Sequence, residues 1–281
     1  MPTFDTPEPI TATIDLAVGD VRITVADHAT TTVEVRPTDA SDEEDRKAAE
    51  RTRVEYANDE LVVKAPKLRS WLSRRDGGSI DVTVELPAGS RVHGTVGMGD
   101  VHADGPLGDC RIKTGLGRIA LDSAEALNLK SGAGDITVDR AAGHAEVTTG
   151  SGDVRLGALD STAVIKNSNG DTWVGVAAGE LRVNAANGSI AVELAQAGVA
   201  AKSANGDVRV GEVVRGSVVL ETKIGDLEVG VREGTAAWLD LNARFGHLHN
   251  ALDAAEAPEP TAETVDVRAR TSVGEIVVRR P

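Results

Sequence analysis

The sequence predicts an all-β fold: a single-domain parallel β-solenoid (β-helix) of two-strand coils of about 18 residues, with an N-terminal cap that contains one short helix. Three observations predict it. A Gly-Asp phrase recurs at near-constant spacing, apolar and polar residues alternate on both sides of each phrase, and only 2% of the 281 residues are aromatic. A narrow interior between two stacked sheets fits aliphatic side chains without aromatic ones.

The recurring glycine sets the period. It recurs at intervals of 17 to 19 residues and then of 21 and 28, at Gly99, Gly117, Gly134, Gly152, Gly170, Gly188, Gly206, Gly225, Gly246 and Gly274. Because glycine adopts positive φ at little steric cost, we expect each one to turn the chain from one sheet into the other. Asn169, Asn187 and Asn205 precede three of these glycines, and we expect them to adopt left-handed backbone or to bond their own backbone.

Period-two alternation places two short strands in each coil. Inward apolar columns lie five and seven residues before the glycine and two and four after it, as Leu129, Leu127, Ile136 and Val138 do around Gly134. A second turn, such as RAAG at 140–143, completes the coil. Cys110 falls in an inward column, so we expect a small core residue rather than a reactive thiol.

The domain prediction divides the chain at residue 95. Residues 1–95 are expected to form the solenoid start and cap, and residues 96–281 the repeat that continues from it. ITATIDLAVGDVRITV at 10–25 already carries the coil register, and SDEEDRKAAERTRVEY at 41–56 predicts one helix because it opens with the capping-box pair Ser41 and Glu44. A Pro- and Ala-rich loop at 251–264 precedes the final coil.

The series GMGDV, GAGDI, GSGDV, SNGDT and ANGDV, with SIDVTVELPAG at 79–89, resembles the bacterial β-strand-repeat family of unknown function that is often labelled "putative adhesin". The resemblance covers nearly the whole chain and implies a β-solenoid. It implies no catalytic residues. Many members of that family look exported or membrane-anchored.

Composition excludes several classes of function. The net charge of −14 argues against binding nucleic acid through a general basic surface. A lone cysteine cannot form an intrachain disulfide, the start MPTFDTPEPI lacks a signal pattern, and no apolar run approaches the roughly 18 residues that span a membrane. We therefore expect a cytoplasmic protein. Without a nucleophile elbow, P-loop or metal quartet, we expect no enzyme and no cofactor.

A column of aspartates follows the glycines, at Asp100, Asp135, Asp153, Asp171, Asp207 and Asp226. A calcium β-roll has a similar period but needs Gly and Asp at both corners, and here the second corner reads RAAG or VAAG. Hydrogen bonding to the backbone of the turn is therefore the favoured role. His247 and His249 flank Leu248 on one strand, but two ligands are too few for a metal site, so we expect surface histidines.

Two surfaces are candidates for docking. The segment KAPKLRSWLSRR at 64–75 combines basic residues with a helical apolar face, and could lie on an anionic membrane, dock a partner or pack on the first coil; its predicted contact residues are Lys67, Leu68, Arg69, Trp71, Leu72, Arg74 and Arg75. The second is an outward contact face of Lys113, Lys130, Lys166 and Lys202 with Trp173, which could hold an anionic polymer or only keep exposed strands from aggregating.

These features favour a non-catalytic scaffold or protein-interaction module with an unidentified protein partner. A self-assembling filament is one alternative, because a solenoid end with unpaired strand edges can template another copy. Binding of an anionic surface or glycan is the other. The oligomeric state stays open at this point.

Overall fold

The computed structural model describes residues 2–26, 29–66, 78–252 and 263–281. The chain divides into two units, Met1–Asp139 and Arg140–Pro281, and both are parallel β-solenoids, which confirms the predicted fold class. Within these ranges no helix has the length and apolar character needed to cross a membrane.

Unit 1 contains ten strands and one helix: β1 (Thr3–Asp5), β2 (Thr11–Val18), β3 (Val21–Ala26), β4 (Thr30–Pro37), α1 (Glu43–Arg51), β5 (Arg53–Ala57), β6 (Glu60–Lys64), β7 (Ile80–Pro87), β8 (Arg91–Met98), β9 (Val101–Leu116) and β10 (Ile119–Ala133). Strand β11 (Ile136–Ala141) runs across the boundary between the units. Strands β9 and β10 are long because each bends through the second corner of its coil without interruption.

Each coil contributes to two sheets. The pre-glycine sheet holds the strands that lead into the corner glycines, and the post-glycine sheet holds the strands that leave them. In unit 1 the pre-glycine sheet has the order β5-β6-β2-β8-β9-β10, and the post-glycine sheet has the order β1-β4-β7-β3-β9-β10. The first coil stacks directly on a coil eighty residues later, because Val21 pairs with Val101 and the Gly19 amide donates to the Met98 carbonyl at 2.9 Å.

Strands β6 and β7 run parallel to the first coil of unit 1, and antiparallel strands cover them in turn. Strand β5 pairs antiparallel with β6, β4 with β7, and β1 with β4. The predicted helix is present, but its N-cap is Asp42, not Ser41: the Asp42 carboxylate accepts from the Glu44 amide at 2.7 Å. The helix ends at Arg51, and the residues predicted to continue it form β5 instead, because Val54 and Tyr56 alternate with polar neighbours as in a strand.

Unit 2 contains fourteen further strands: β12 (Ala145–Thr149), β13 (Val154–Leu159), β14 (Ala163–Asn169), β15 (Thr172–Ala177), β16 (Leu181–Asn187), β17 (Ile190–Ala195), β18 (Val199–Asn205), β19 (Val208–Val213), β20 (Gly216–Ile224), β21 (Leu227–Val231), β22 (Ala236–Phe245), β23 (Leu248–Asn250), β24 (Thr264–Val273) and β25 (Ile276–Arg279). Its pre-glycine sheet has the order β12-β14-β16-β18-β20-β24-β22 and its post-glycine sheet the order β13-β15-β17-β19-β21-β25-β23.

The last coil in the chain is not the last coil in space. Strands β24 and β25 lie between the coil of Gly225 and the coil of Gly246, so the order of the coils in the stack differs from their order in the sequence. The inserted coil carries only apolar residues in its inward columns, including Val267 and Val278, which are fully buried. The displaced coil places Asn250 where the others place an aliphatic residue, and Asn250 is exposed. A coil at the end leaves one face in water, where an amide costs less than in the core.

The interior of both units follows the predicted columns. Leu129 and Val147 are 0% exposed, as are Val210 and Val229. Cys110 is 1% exposed, which confirms its place in the core, and burial raises the pKa of its thiol to about 12, with a smaller contribution from the charge of Asp109.

Candidate binding surfaces

The corner positions require glycine for two reasons, the backbone conformation and the close approach of the neighbouring coil. All ten, and Gly19 of the first coil, have φ between +127° and +155°, which confirms the predicted positive φ. Each corner also lies against the corner of a neighbouring coil: a Cβ on Gly188 would come within 2.0 Å of the Gly170 carbonyl oxygen. These corners therefore have no room for a ligand or a side chain.

The aspartates after the glycines bond the backbone of the next corner, as predicted. Asp153 accepts from the Asp171 amide at 2.9 Å, Asp171 accepts from the Ser189 amide at 2.8 Å, and Asp207 accepts from the Asp226 amide at 2.8 Å. Each carboxylate thus satisfies a donor that the sharp turn leaves outside the sheet ladder. His247 and His249 are both exposed, and His247 lies 3.6 Å from Glu275.

The asparagines before the glycines act differently from the prediction. Positive φ among described residues other than glycine occurs only at Asn58 and Asp59, so the corner asparagines do not adopt the left-handed region. Instead they form a ladder along the stack. The Asn187 amide donates to Asn169 Oδ1 at 3.0 Å, and the Asn205 amide donates to Asn187 Oδ1 at 2.9 Å.

A buried polar column three residues before the glycine also ties the corners together. The Ser203 hydroxyl donates to the Gly188 carbonyl at 3.1 Å and the Thr222 hydroxyl to the Gly206 carbonyl at 3.0 Å, so each side chain reaches back to the preceding coil. Their signal in the sequence is a column of small hydroxyl residues at an otherwise apolar register.

The predicted lysine face separates into paired and unpaired side chains. In unit 2, Lys166 lies 3.7 Å from Glu146 and Lys202 lies 2.8 Å from Glu221. In unit 1, Lys113 and Lys130 have no carboxylate within 4.0 Å among the described residues. The two lysines of unit 1 are therefore the ones available to an outside anion.

Lys113 and Lys130 are neighbours in register, on β9 and β10. Adjacent strands lie about 4.8 Å apart, and two like charges at such a separation repel by about 1 kcal/mol even in bulk water. Arg111 lies two residues upstream of Lys113 on the same face and pairs in register with His93. We name Arg111, Lys113 and Lys130 the cationic cluster.

The cationic cluster lines an open groove of about 390 Å³ on the pre-glycine sheet of unit 1. Thr13 and Thr95 line the same groove, and Asp15 lies two strands from Lys113 on the far side of Thr95. Thr95 separates Asp15 on one side from Lys113 and Lys130 on the other, so the cations line the part of the groove formed by β9 and β10. An anionic group there can reach several donors at once.

A second groove of unit 1, of about 730 Å³, lies on the post-glycine sheet and is neutralised internally. Arg118 bonds Asp100 at 3.0 Å, and His102 lies 2.7 Å from Asp104. Because its lining also carries the carboxylates of Asp20, Asp81, Asp100 and Asp135, this groove is a weaker candidate for binding an anion.

Trp173 does not join the lysines. It lies on β15 of the post-glycine sheet, between Arg155 and Ala191 as predicted, whereas Lys166 and Lys202 lie on the pre-glycine sheet of the same unit. Its indole donates to Glu193 at 3.1 Å and leaves it only partly exposed. The structure therefore splits the predicted contact face between two outer surfaces.

The predicted docking segment lies outside the described residues from Lys67 onward, so Lys67, Leu68, Arg69, Trp71, Leu72, Arg74 and Arg75 stay a prediction. Lys64, at the start of that segment, ends β6 and pairs in register with Asp15.

Comparison with known proteins supports the fold. The model of the Toastrack DUF4097 family matches residues 14–236. No curated protein matches the chain in sequence. A "putative adhesin" from Parabacteroides merdae is 14% identical with a TM-score of 0.51, over 82% of this chain and 94% of that one. A "putative adhesin" from Bacteroides fragilis is 15% identical with a TM-score of 0.40, over 99% and 96%.

A "putative lipid binding protein" from Parabacteroides distasonis is 12% identical with a TM-score of 0.32, over 98% of this chain and 95% of that one. At these identities the likeness concerns the fold alone, and of these three structures the one from Parabacteroides merdae exceeds a TM-score of 0.5. The family model covers well over half of the chain. The chain belongs to the Toastrack DUF4097 family of β-solenoid proteins.

Proposed function

We propose that this chain is a non-enzymatic protein-interaction module that binds an acidic segment of a partner protein through the cationic cluster. The observation that carries the proposal is the adjacency of unpaired cations at Arg111, Lys113 and Lys130. Side chains that repel one another on an exposed sheet gain from an outside anion that relieves the repulsion.

The net charge favours a protein as the partner. The chain carries 44 acidic and 30 basic residues, so most of its surface repels anions beyond the cluster. A long anionic polymer or a membrane would extend past the groove over that acidic surface. A short acidic segment of a protein fits within the groove and avoids the repulsion.

The filled interior supports a binding role rather than a catalytic one. The inward columns are aliphatic and fully buried, so no enclosed cavity separates a substrate from water along them. Binding on the outer sheet needs no such cavity.

The test is a titration of amide shifts by NMR with an octaglutamate peptide. Three exposed ion pairs contribute at most about 3 kcal/mol, so we expect a dissociation constant in the millimolar range. Shifts are expected at residues 93–95, 111–113 and 128–130, and they should fade with added salt.

Two further probes assign the partner class. A sulfated polysaccharide and vesicles with anionic headgroups should bind no more tightly than the peptide does. Absence of shifts at the cluster would refute the proposal. Tight, cluster-dependent retention on the polymer or the vesicles would contradict the choice of a protein partner.

A further inference from the structure

We propose that the coil of β22 and β23 is an interface for a second copy of this chain, with two copies joined end to end about a two-fold axis. This coil is the last in the stack of unit 2. Among the described residues β22 bonds only β24 and β23 bonds only β25, so the opposite edges of both strands are unpaired. An unpaired edge of ten residues is a template for another strand.

The end coil exposes large apolar side chains. Trp238 is 72% exposed, Phe245 64% and Leu248 51%. At the position of Leu248 the two coils beneath carry Ile276 and Leu227, which are both 0% exposed. Leu248 therefore presents to water a column that the rest of the stack buries, while Trp238 and Phe245 add large apolar side chains in columns that lie at the surface. Such a patch marks an interaction surface.

An apolar ridge continues this patch along the corner. Phe245 pairs with Val273, and Val273 pairs with Ile224. Val273 is 48% exposed and Ile224 is 57% exposed. In the next coils of unit 2, Asn205, Asn187 and Asn169 occupy this column, so within unit 2 the apolar ridge belongs to the three coils nearest the open end.

The charges on β22 favour a second copy as the occupant. Asp240 and Arg244 are exposed and flank Asn242 on its outer face. Within one copy Asp240 lies 3.2 Å from Arg270 and Arg244 lies over the Phe245 ring, and both side chains keep solvent-facing edges. If two β22 strands pair antiparallel about Asn242, each Asp240 lies opposite the Arg244 of the other copy, which gives two ion pairs by symmetry. In this register the residues on the inward side of one strand also lie opposite residues on the inward side of the other, so Leu239 of one copy meets Phe245 of the second.

The area of the end suits a modest dimer. A strand of ten residues is about 33 Å long. Two sheets about 10 Å apart, together with their outer side chains, make the end of the stack about 20 Å wide. Two such end faces in contact would bury about 1,300 Å², counting both copies. This lies at the low end of the range for stable interfaces, which is enough for a specific dimer.

The antiparallel cap of unit 1 disfavours a head-to-tail filament. There β5 covers β6, and β4 and β1 cover β7. Only β5 and β1 remain at the edge among the described residues, with five and three residues. Short antiparallel edge strands do not match the ten-residue edge of β22, so association closes at two copies.

Sedimentation equilibrium of the full chain tests the proposal. Over about 1 to 500 µM we expect the mass to rise from 29.2 kDa to twice that value and no further. Leu248→Lys should weaken the dimer at least tenfold. Leu116→Lys is the matched control, because Leu116 is 49% exposed and Leu248 is 51% exposed. Since Leu116 lies in unit 1, outside the proposed interface, its substitution should leave the dimer unchanged. Arg244→Glu, on an exposed side chain, should weaken it as well and guards against misfolding of the first variant.

A monomer at every concentration would overturn the proposal and leave the chain's own residues 253–262 as the occupant of the end. Masses beyond two copies would overturn it in favour of a filament. An equal effect of Leu116→Lys and Leu248→Lys would show that the dimer forms elsewhere. None of these results bears on the cationic cluster of unit 1.

Discussion

Replacing Gly188 by alanine tests how tightly the corners stack. The new Cβ would lie 2.0 Å from the Gly170 carbonyl oxygen, where contacts below 3.0 Å are essentially never found, so the coils must separate locally by about 1 Å. The flanking hydrogen bonds, from the Gly170 amide to Asn187 at 3.0 Å and from the Thr172 amide to Ser189 at 2.9 Å, would be stretched. Loss of both costs about 2 kcal/mol.

Backbone strain adds to this cost. Gly188 has φ of +141°, and a residue with a Cβ in such a region is strained by about 2 kcal/mol. We therefore expect Gly188→Ala to lower the free energy of unfolding by about 4 kcal/mol. Gly234 is the matched control: its φ is +79°, but no atom would lie within 4 Å of a Cβ added there, so Gly234→Ala should cost only about 1 kcal/mol.

Urea denaturation followed by far-ultraviolet circular dichroism measures both values. A shift in the midpoint without a change in slope reports stability. Equal losses for the two variants would refute the reasoning, because they would show that contact between the corners contributes nothing beyond the backbone conformation.

The remaining predictions concern the thiol, the asparagine ladder and the core. The pKa of the Cys110 thiol is raised from 9.0 to about 12 in the folded protein. Because the unfolded chain loses this proton at a lower pH than the folded chain, the free energy of unfolding falls as the pH rises from 9 to 12. In parallel urea titrations, Cys110→Val should remove up to about 4 kcal/mol of that pH dependence. Asn187→Ala removes two hydrogen bonds of the exposed asparagine ladder, so it should lower the free energy of unfolding by about 1 kcal/mol and the melting temperature slightly. A loss of stability as large as that of Gly188→Ala would contradict this prediction. Leu129→Ala, at a fully buried position, should cost about 3 kcal/mol in the same urea assay, and a negligible cost would mean that the column is not packed.

The sequence was sufficient for the corners because every coil meets the same constraint there. Gly170 and Gly188 need positive φ and close approach whatever their neighbours are, so spacing alone identified them. The inward columns were equally accessible, since alternation around each glycine reports which side faces the core. Asp171 could be assigned to the turn because its column follows the glycine register.

The order of the last coils could not be predicted from the register. The coils of Gly246 and Gly274 carry the same columns, and choosing between them depends on a small difference in apolar content at positions such as Asn250. The helix start at Asp42 was missed for a similar reason, because Ser41 and Asp42 are both good N-cap residues and the contacts of Asp39 with Ser41 decide between them.

The division of the lysines required the structure. Glu146 precedes Lys166 by 20 residues and follows Lys130 by 16, so it lies two positions from one coil's spacing in both directions, and the spacing alone does not say which lysine it pairs with. Glu221 follows Lys202 by 19 residues and pairs with it in register. The structure places Glu146 beside Lys166, and it also shows the groove beside Lys113 and Lys130.

The most direct measurement compares two double variants of equal charge in the octaglutamate titration. Lys113→Gln with Lys130→Gln removes the unpaired lysines, and Lys166→Gln with Lys202→Gln removes the paired ones. We predict that the first variant abolishes the amide shifts at the cluster and the second preserves them. Equal losses in both variants would contradict the account, because binding would then follow net charge and not the cationic cluster.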